Sequence, residues 1–241
     1  NRLPYACVRA LEQVVVIRRR NRRRCSGGAW DAAAVRGMDD MRITTKTAPN
    51  IEPVTKAEVK MHLRLATTDA EAAAYTTEDD LLDRLITTAR IMTEQQTGRK
   101  LITQTLEYYL DEWPDGDEIK LPYPPLQSAT VTYRLEDDTG YDNTLSTVDV
   151  DIVSEPGRIV LQPNESWPSG TLYSEKPIKI EFDCGYGDAD DVPEGIKSAI
   201  LLRITDLYEH RGEIVAGVSV GRIEGAIDSL LWPYREWTFT A

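Results

Sequence analysis

The most constraining stretch of this chain runs from Pro177 to Arg211, where the apolar period changes across a glycine hinge. Ile178, Ile180, Phe182 and Cys184 alternate with Lys179, Glu181 and Asp183, the pattern of a half-buried strand. A Gly185-Tyr186-Gly187 turn follows, and the pattern then becomes helical. Asp191 and Glu194 stand three apart, as in a capping box, and Pro193 falls where a missing N–H costs nothing, so the helix is expected to start near Asp191. Its apolar surface is wide: Ile196, Ala199, Ile200, Leu201, Ile204, Leu207 and Tyr208. Such width predicts contacts with more than one neighbour, in the same chain or in an adjacent subunit. A sheet joined directly to a helical layer is the frame into which the rest must fit.

Upstream, a polar lead with Pro49 and Pro53 ends in Thr55-Lys56-Ala57-Glu58, a capping box opening a short helix that buries Val59 and Leu63. A polar loop leads to Thr77, the expected cap of a longer helix with Leu81, Leu82, Leu85, Ile86, Ala89, Met92 and Gln96 on one face. Thr97-Gly98 stops it.

From Leu101 to Cys184 the chain reads as β structure. Leu106, Tyr108 and Leu110 alternate, as do Val131, Tyr133 and Leu135, with Asp137-Asp138-Thr139-Gly140 closing a hairpin. Ile119 and Leu121 lead into Pro122-Tyr123-Pro124-Pro125-Leu126, too rich in proline for a central strand. Short strands are expected near Val148 to Ile152 and Arg158 to Leu161. Turns rather than helices separate these segments, which predicts an antiparallel sheet or small sandwich. The expected fold is α+β: a helical bundle layer formed by both ends of the chain, with an antiparallel β domain inserted. The expected divisions are 1–40, a disordered or non-native basic extension; 41–101 and 185–235, helical; 102–184, β; and 236–241, a tail. Natural translation is expected to start at Met41, or at Met38.

Charge separates the first of these segments from the others. Residues 1–40 carry nine Arg against four acids, including the block Arg18 to Arg24, whereas residues 41–241 carry nineteen Lys plus Arg against thirty-six acids, a balance near −17. A body of that charge repels nucleic-acid phosphate, which excludes a DNA-reading module built on it. The three cysteines, Cys7, Cys25 and Cys184, are widely spaced and fit reduced thiols better than a disulfide or zinc framework. No apolar run reaches the roughly 20 residues that cross a bilayer.

Catalytic signals are weak throughout. Gly212 and Gly217 have P-loop spacing, but Val218 stands where the phosphate-binding Lys belongs. His62 and His210 read as surface residues. Asp188, Asp190, Asp191 and Glu194 are explained by capping and solvation rather than by calcium. No serine sits in a Gly-x-Ser-x-Gly elbow. No catalytic residue, metal or cofactor is expected.

Five stretches carry a resemblance: Glu52-Pro53-Val54-Thr55-Lys56-Ala57-Glu58-Val59-Lys60-Met61-His62-Leu63-Arg64; Thr97-Gly98-Arg99-Lys100-Leu101-Ile102-Thr103-Gln104-Thr105; Leu121-Pro122-Tyr123-Pro124-Pro125-Leu126-Gln127-Ser128; Gly185-Tyr186-Gly187 leading to Asp191-Val192-Pro193-Glu194-Gly195-Ile196-Lys197; and Leu230-Leu231-Trp232-Pro233-Tyr234-Arg235. In this order they resemble the head-to-tail connector (adaptor) proteins of tailed bacteriophages, often described as possible DNA-packaging proteins. The resemblance spans nearly all of residues 41–235. It implies a structural, non-enzymatic protein of the virion, assembled in the bacterial cytoplasm. Such proteins form a ring beneath the portal protein, commonly of about twelve copies. The ring extends the DNA channel and receives a stopper or tail-completion protein.

The acidic body suits a channel wall along which DNA slides without sequence-specific binding. Ile200, Leu207 and Tyr208 are expected to meet a ring neighbour, and Trp232, Tyr234, Arg235, Trp237 and Phe239 the portal or a ring neighbour. Packing of those aromatics on the protein's own helices is the competing expectation. Two other functions stay open from the residues alone: a carbohydrate-binding or carbohydrate-cleaving β module, from the aromatic and acidic sheet, and a nucleic-acid-binding packaging factor using Arg18 to Arg24.

Overall fold

A computed structural model of the chain describes residues 42–210 and 221–236. Its strands are β1 (Arg42–Thr47), β2 (Gln104–Leu110), β3 (Glu118–Lys120), β4 (Leu126–Tyr133), β5 (Asn143–Thr144), β6 (Val148–Asp151), β7 (Arg158–Leu161) and β8 (Ile178–Cys184). Its helices are α1 (Lys56–His62), α2 (Asp69–Ala74), α3 (Asp79–Thr97), α4 (Glu194–Glu209) and α5 (Gly221–Leu231), with single 3-10 turns at Ala189–Asp191 and Trp232–Tyr234. The class is α+β, with antiparallel sheets inserted between helices that pack α3 on α4 and α4 on α5.

Strand β8 is the middle of a five-stranded sheet ordered β1-β2-β8-β4-β5. Both its edges are paired antiparallel, in registers that set Cys184 opposite Gln104 on one side and Leu126 on the other. Every second side chain, Ile178, Ile180, Phe182 and Cys184, is buried, as the alternation requires. The opposite face is a polar ladder: Thr105 Oγ1 and Ser128 Oγ donate to the two oxygens of Asp183 at 2.7 and 2.8 Å, and Lys46 pairs with Glu181 at 2.6 Å. The buried face meets a three-stranded sheet ordered β3-β7-β6. Ile119, Leu121 and Ile159 share one core with Leu106, Tyr108, Ile178, Ile180 and Phe182. Each large side chain fully enclosed there contributes roughly 1.5–3 kcal/mol. Cys184 is a free thiol in that core, and burial pushes its pKa up to about 12.

A second core holds the helices. Val54, Val59, Leu82, Ile86, Leu101, Ile102, Val192, Ile196, Ile200, Ile204, Ile227 and Leu231 are buried together. Part of the wide face of α4 is covered by this chain's own α1, α3 and α5, which all pack against it, while Leu207 and Tyr208 stay only partly buried.

Several local expectations are corrected. Helix α4 begins at Glu194 with Pro193 at the N-cap, and the Asp191 carboxylate instead accepts the Asp188 N–H at 3.0 Å in the preceding 3-10 turn. Helix α3 is capped by Glu78, not Thr77, and the Glu78 side chain makes no capping bond to the helix's own first N–H groups. Its buried stripe runs Leu82, Ile86, Ala89, Thr93 and Thr97, which leaves Met92 40% exposed and Ile91 42% exposed. Thr93 and Thr97 can be buried because their hydroxyls donate back to the carbonyls of Ala89 and Thr93, at 2.8 Å each. The polar lead contains β1, an edge strand on β2, so this part of residues 41–101 belongs to the sheet. The polar loop contains α2, capped by Thr68. Strand β4 does pair with β5, but through a connection longer than the four-residue turn, which carries its own Leu135 to Leu172 bridge.

Candidate functional site

The two cores meet at a junction built from short peptide crossings. The Tyr186 N–H donates to the Leu101 carbonyl and the Thr103 N–H to the Gly187 carbonyl, both at 3.1 Å. Gly185, at φ +125°, is fixed in type: a Cβ there would lie 2.6 Å from the Ile102 carbonyl carbon. The Gly185 N–H reaches the Pro125 carbonyl at 2.9 Å, and the Gln127 amide donates to the Gly185 carbonyl at 2.8 Å. An ion network flanks the junction, with Arg90 paired to Glu52 at 2.7 Å and to buried Glu94 at 3.3 Å, and Lys100 paired to Glu94 at 2.9 Å.

Arg99 is the key to this region. It follows Gly98, the left-handed C-cap of α3 at φ +70°, and is almost fully buried. Its Nε donates to the Tyr234 carbonyl at 2.6 Å, Nη1 donates to Glu155 Oε1 at 2.9 Å, and Nη2 donates to the second Glu155 oxygen. One guanidinium therefore ties together the end of α3, the loop between β6 and β7, and the C-terminal segment. Its hydrogen bonds, helped by its charge, hold the Glu155 carboxyl below the usual range. The Glu236 N–H donates to the Thr97 carbonyl at 2.9 Å, which seats the segment on the helix end, and burial raises the Glu236 carboxyl. Tyr234 lies over Gly195, where a Cβ would come within 3.1 Å of its ring.

The structure separates the expected interface residues. Trp232 is 57% exposed, with the Arg235 guanidinium 5.9 Å from its ring and the same arginine bonded to Asp228 at 2.9 Å. Tyr234 is partly buried against the helical core. The Tyr208 hydroxyl donates to Glu78 at 2.6 Å. Leu207 is partly buried on a shallow groove of about 250 Å³, shared with Met92, Gln96, Arg203 and Ile227. Ile200 is 0% exposed within its own chain, so the expectation that it meets a neighbour is corrected: it is a core residue. Trp237 and Phe239 lie outside the described residues, as do Gly212, Gly217 and the Arg18 to Arg24 block.

Arg99 and Glu155 were not among the expected site residues. The Gly98-Arg99-Lys100 run, a cation immediately past a helix stop, is the signal that marks the first; Glu155 has none, since its role depends on a contact 56 residues away.

The aromatics of the β region pack on one another. Trp113 stacks on Trp167 at 5.0 Å and 8°, and meets Tyr133 edge-on at 5.7 Å. Among the described residues no three His, Cys, Asp or Glu side chains gather as a metal site.

No family model matches the sequence, and neither does any curated protein. Solved structures do match. A chain from the neck of an empty gene transfer agent (GTA) particle, computed with C6 symmetry, aligns with TM-score 0.67 at 20% identity, over 83% of this chain and 98% of that one. A chain from the virion of a native GTA particle gives 0.65 at 21% identity, over 83% and 97%. Another, from the neck of the native particle computed with C12 symmetry, gives 0.56 at 19%, over 81% and 97%. The fold described above is thus shared, over 81–83% of this chain, with chains of gene transfer agent necks and virions.

Proposed function

We propose that this chain is a structural head-tail connector subunit of a phage-like particle, forming a ring under the portal that extends the DNA channel and joins capsid to tail. The observation that carries the reading is the fold likeness, which spans 83% of this chain and 98% of a neck chain. The C6 and C12 symmetries with which those necks were computed support a closed ring, and a ring of twelve is the form proposed here. Its place is the head-tail junction of the virion, and its work is assembly, not catalysis.

The charge pattern supports the same role. Residues 41–241 carry thirty-six acids against nineteen bases, so a channel lined by them would let DNA pass without holding it. In this reading, Leu207 and Tyr208 face the ring neighbour. Trp232, Tyr234, Arg235, Trp237 and Phe239 provide a docking segment for the portal, and the far side receives the stopper or tail-completion protein. Helices α1 to α5 then form the connecting body, and the sheets, β1 included, form the β domain beside it.

Negative-stain microscopy of the protein, alone and mixed with portal, tests the proposal. Rings that cap the portal are expected. A protein that leaves portal rings bare, or virions that join heads to tails without it, would refute the assignment.

A further inference from the structure

A cavity of about 410 Å³ opens between β2, β3 and the loop that joins them, residues 111–117. That size falls within the roughly 300–1,000 Å³ of small-molecule sites. Its most buried wall is made by Tyr108 and Ile119, 4% and 5% exposed, with Leu110 and Pro114 half-buried in the same lining. Glu112 and Asp115 form an exposed rim.

The Tyr108 hydroxyl singles this cavity out. Tyr108 belongs to the core of the β region, yet its hydroxyl has no hydrogen-bond partner among the described residues, and burial alone raises its phenol. Trp113, also in the wall, has a buried indole N–H without an acceptor. Its ring is held in place, stacked on Trp167 and met edge-on by Tyr133. The carboxylates divide into two kinds. Glu118 is paired with Arg158 at 3.1 Å and with Lys120 at 3.5 Å, whereas Glu112 and Asp115 have no ion pair among the described residues.

The full lining discriminates between occupants. An anion would meet three carboxylates with one ammonium, that of Lys120, to offset them. A basic side chain entering through the rim would carry its charge onto Tyr108, Leu110 and Ile119, which have none to neutralise it. An apolar ring would desolvate Glu112 and Asp115 and leave the Tyr108 hydroxyl unpaired. A neutral sugar ring satisfies every part: its hydroxyls can both donate to free carboxylates and accept from a phenol, and its C–H face can lie on Leu110, Pro114 and Ile119.

We propose that this cavity is a binding site for one neutral pyranose ring, with Tyr108 Oη donating to a sugar oxygen and Glu112 and Asp115 accepting from its hydroxyls. This binding function is additional to the connector reading and independent of it.

Saturation-transfer NMR on the full chain tests it, with the methyl glycosides of glucose, galactose and N-acetylglucosamine as neutral probes. Glucosamine, glucuronate, cyclohexanol and a capped alanine serve as the cationic, anionic, apolar and main-chain comparisons. At least one neutral glycoside is expected to receive saturation above all four. Tyr108→Phe removes only an unpartnered hydroxyl, so it should leave the Tm unchanged and weaken that glycoside about 3- to 10-fold. Asp115→Ala, at an exposed loop position, should weaken it similarly, while Trp232→Ala, at an exposed aromatic outside the cavity, should leave it unchanged. Silence from every neutral glycoside, a stronger signal from any of the four comparisons, or an affinity unmoved by both Tyr108→Phe and Asp115→Ala would overturn the proposal. So would loss of binding in Trp232→Ala.

Discussion

Replacing Arg99 by Ala removes a side chain that ties the end of α3 and the β6–β7 loop to the C-terminal segment. The lost bond to the Tyr234 carbonyl is charge-assisted and is worth about 1.5–3 kcal/mol. The Glu155 pair adds less, since that carboxylate is 47% exposed and screened; about 0.5 kcal/mol is a fair share. Burial of the aliphatic stem contributes about 1 kcal/mol more. The sum is about 3–4.5 kcal/mol, which for a chain of this size corresponds to a fall in Tm of roughly 6–18 °C. Arg99→Met, which keeps the stem, is expected to recover only about the last of these terms.

Scanning calorimetry gives the Tm, and hydrogen exchange at the Glu236 amide reads whether the segment has lifted from Thr97. The sign of the pH dependence is also fixed. Arg99 depresses the Glu155 carboxyl in the folded state, so its contribution is present above the ordinary glutamate range and lost as pH falls through the folded value. The gap between wild type and Arg99→Ala should narrow in acid. A Tm within 2 °C of wild type with unchanged protection at Glu236 would refute the clamp.

Two further outcomes are expected. Gly185→Ala must place a Cβ 2.6 Å from the Ile102 carbonyl carbon at φ +125°, so it should cost about 3 kcal/mol or more in urea unfolding; a loss under 1 kcal/mol would contradict the close approach. Burial raises the Glu236 carboxyl, so its docking is favoured below the ordinary glutamate range and weakens as pH rises through the folded value. Glu236→Gln should therefore hold the segment's exchange protection constant across that window, where the wild type loses it.

How much of this was legible depended on whether a residue's role was local. The alternation around Ile180 identified β8, and its length and purity are what a strand paired on both edges needs. The Thr55 box was equally local, and its carboxylate does accept the Thr55 N–H at 2.6 Å. Strand β1 carries no sequence signal because Arg42-Ile43-Thr44-Thr45-Lys46-Thr47 has one apolar residue; edge strands are stabilised by the ladder and need no buried stripe. On α3 the periodicity picked Met92 over Thr93 because hydrophobicity alone cannot see a hydroxyl returning to its own helix. Ile200 illustrates the remaining limit: a wide apolar face states how much surface must be covered but not whose side chains cover it.

Pro49 just after β1 and Gly98 at the end of α3 border the same cavity, and Glu236 rests on Gly98. The first strand and the last turn described therefore emerge as neighbours, while β5 and the β3-β7-β6 sheet carry neither. A fluorescent label or affinity handle attached near either point would report from a single region of the molecule. One such modification would leave the hairpin side unencumbered.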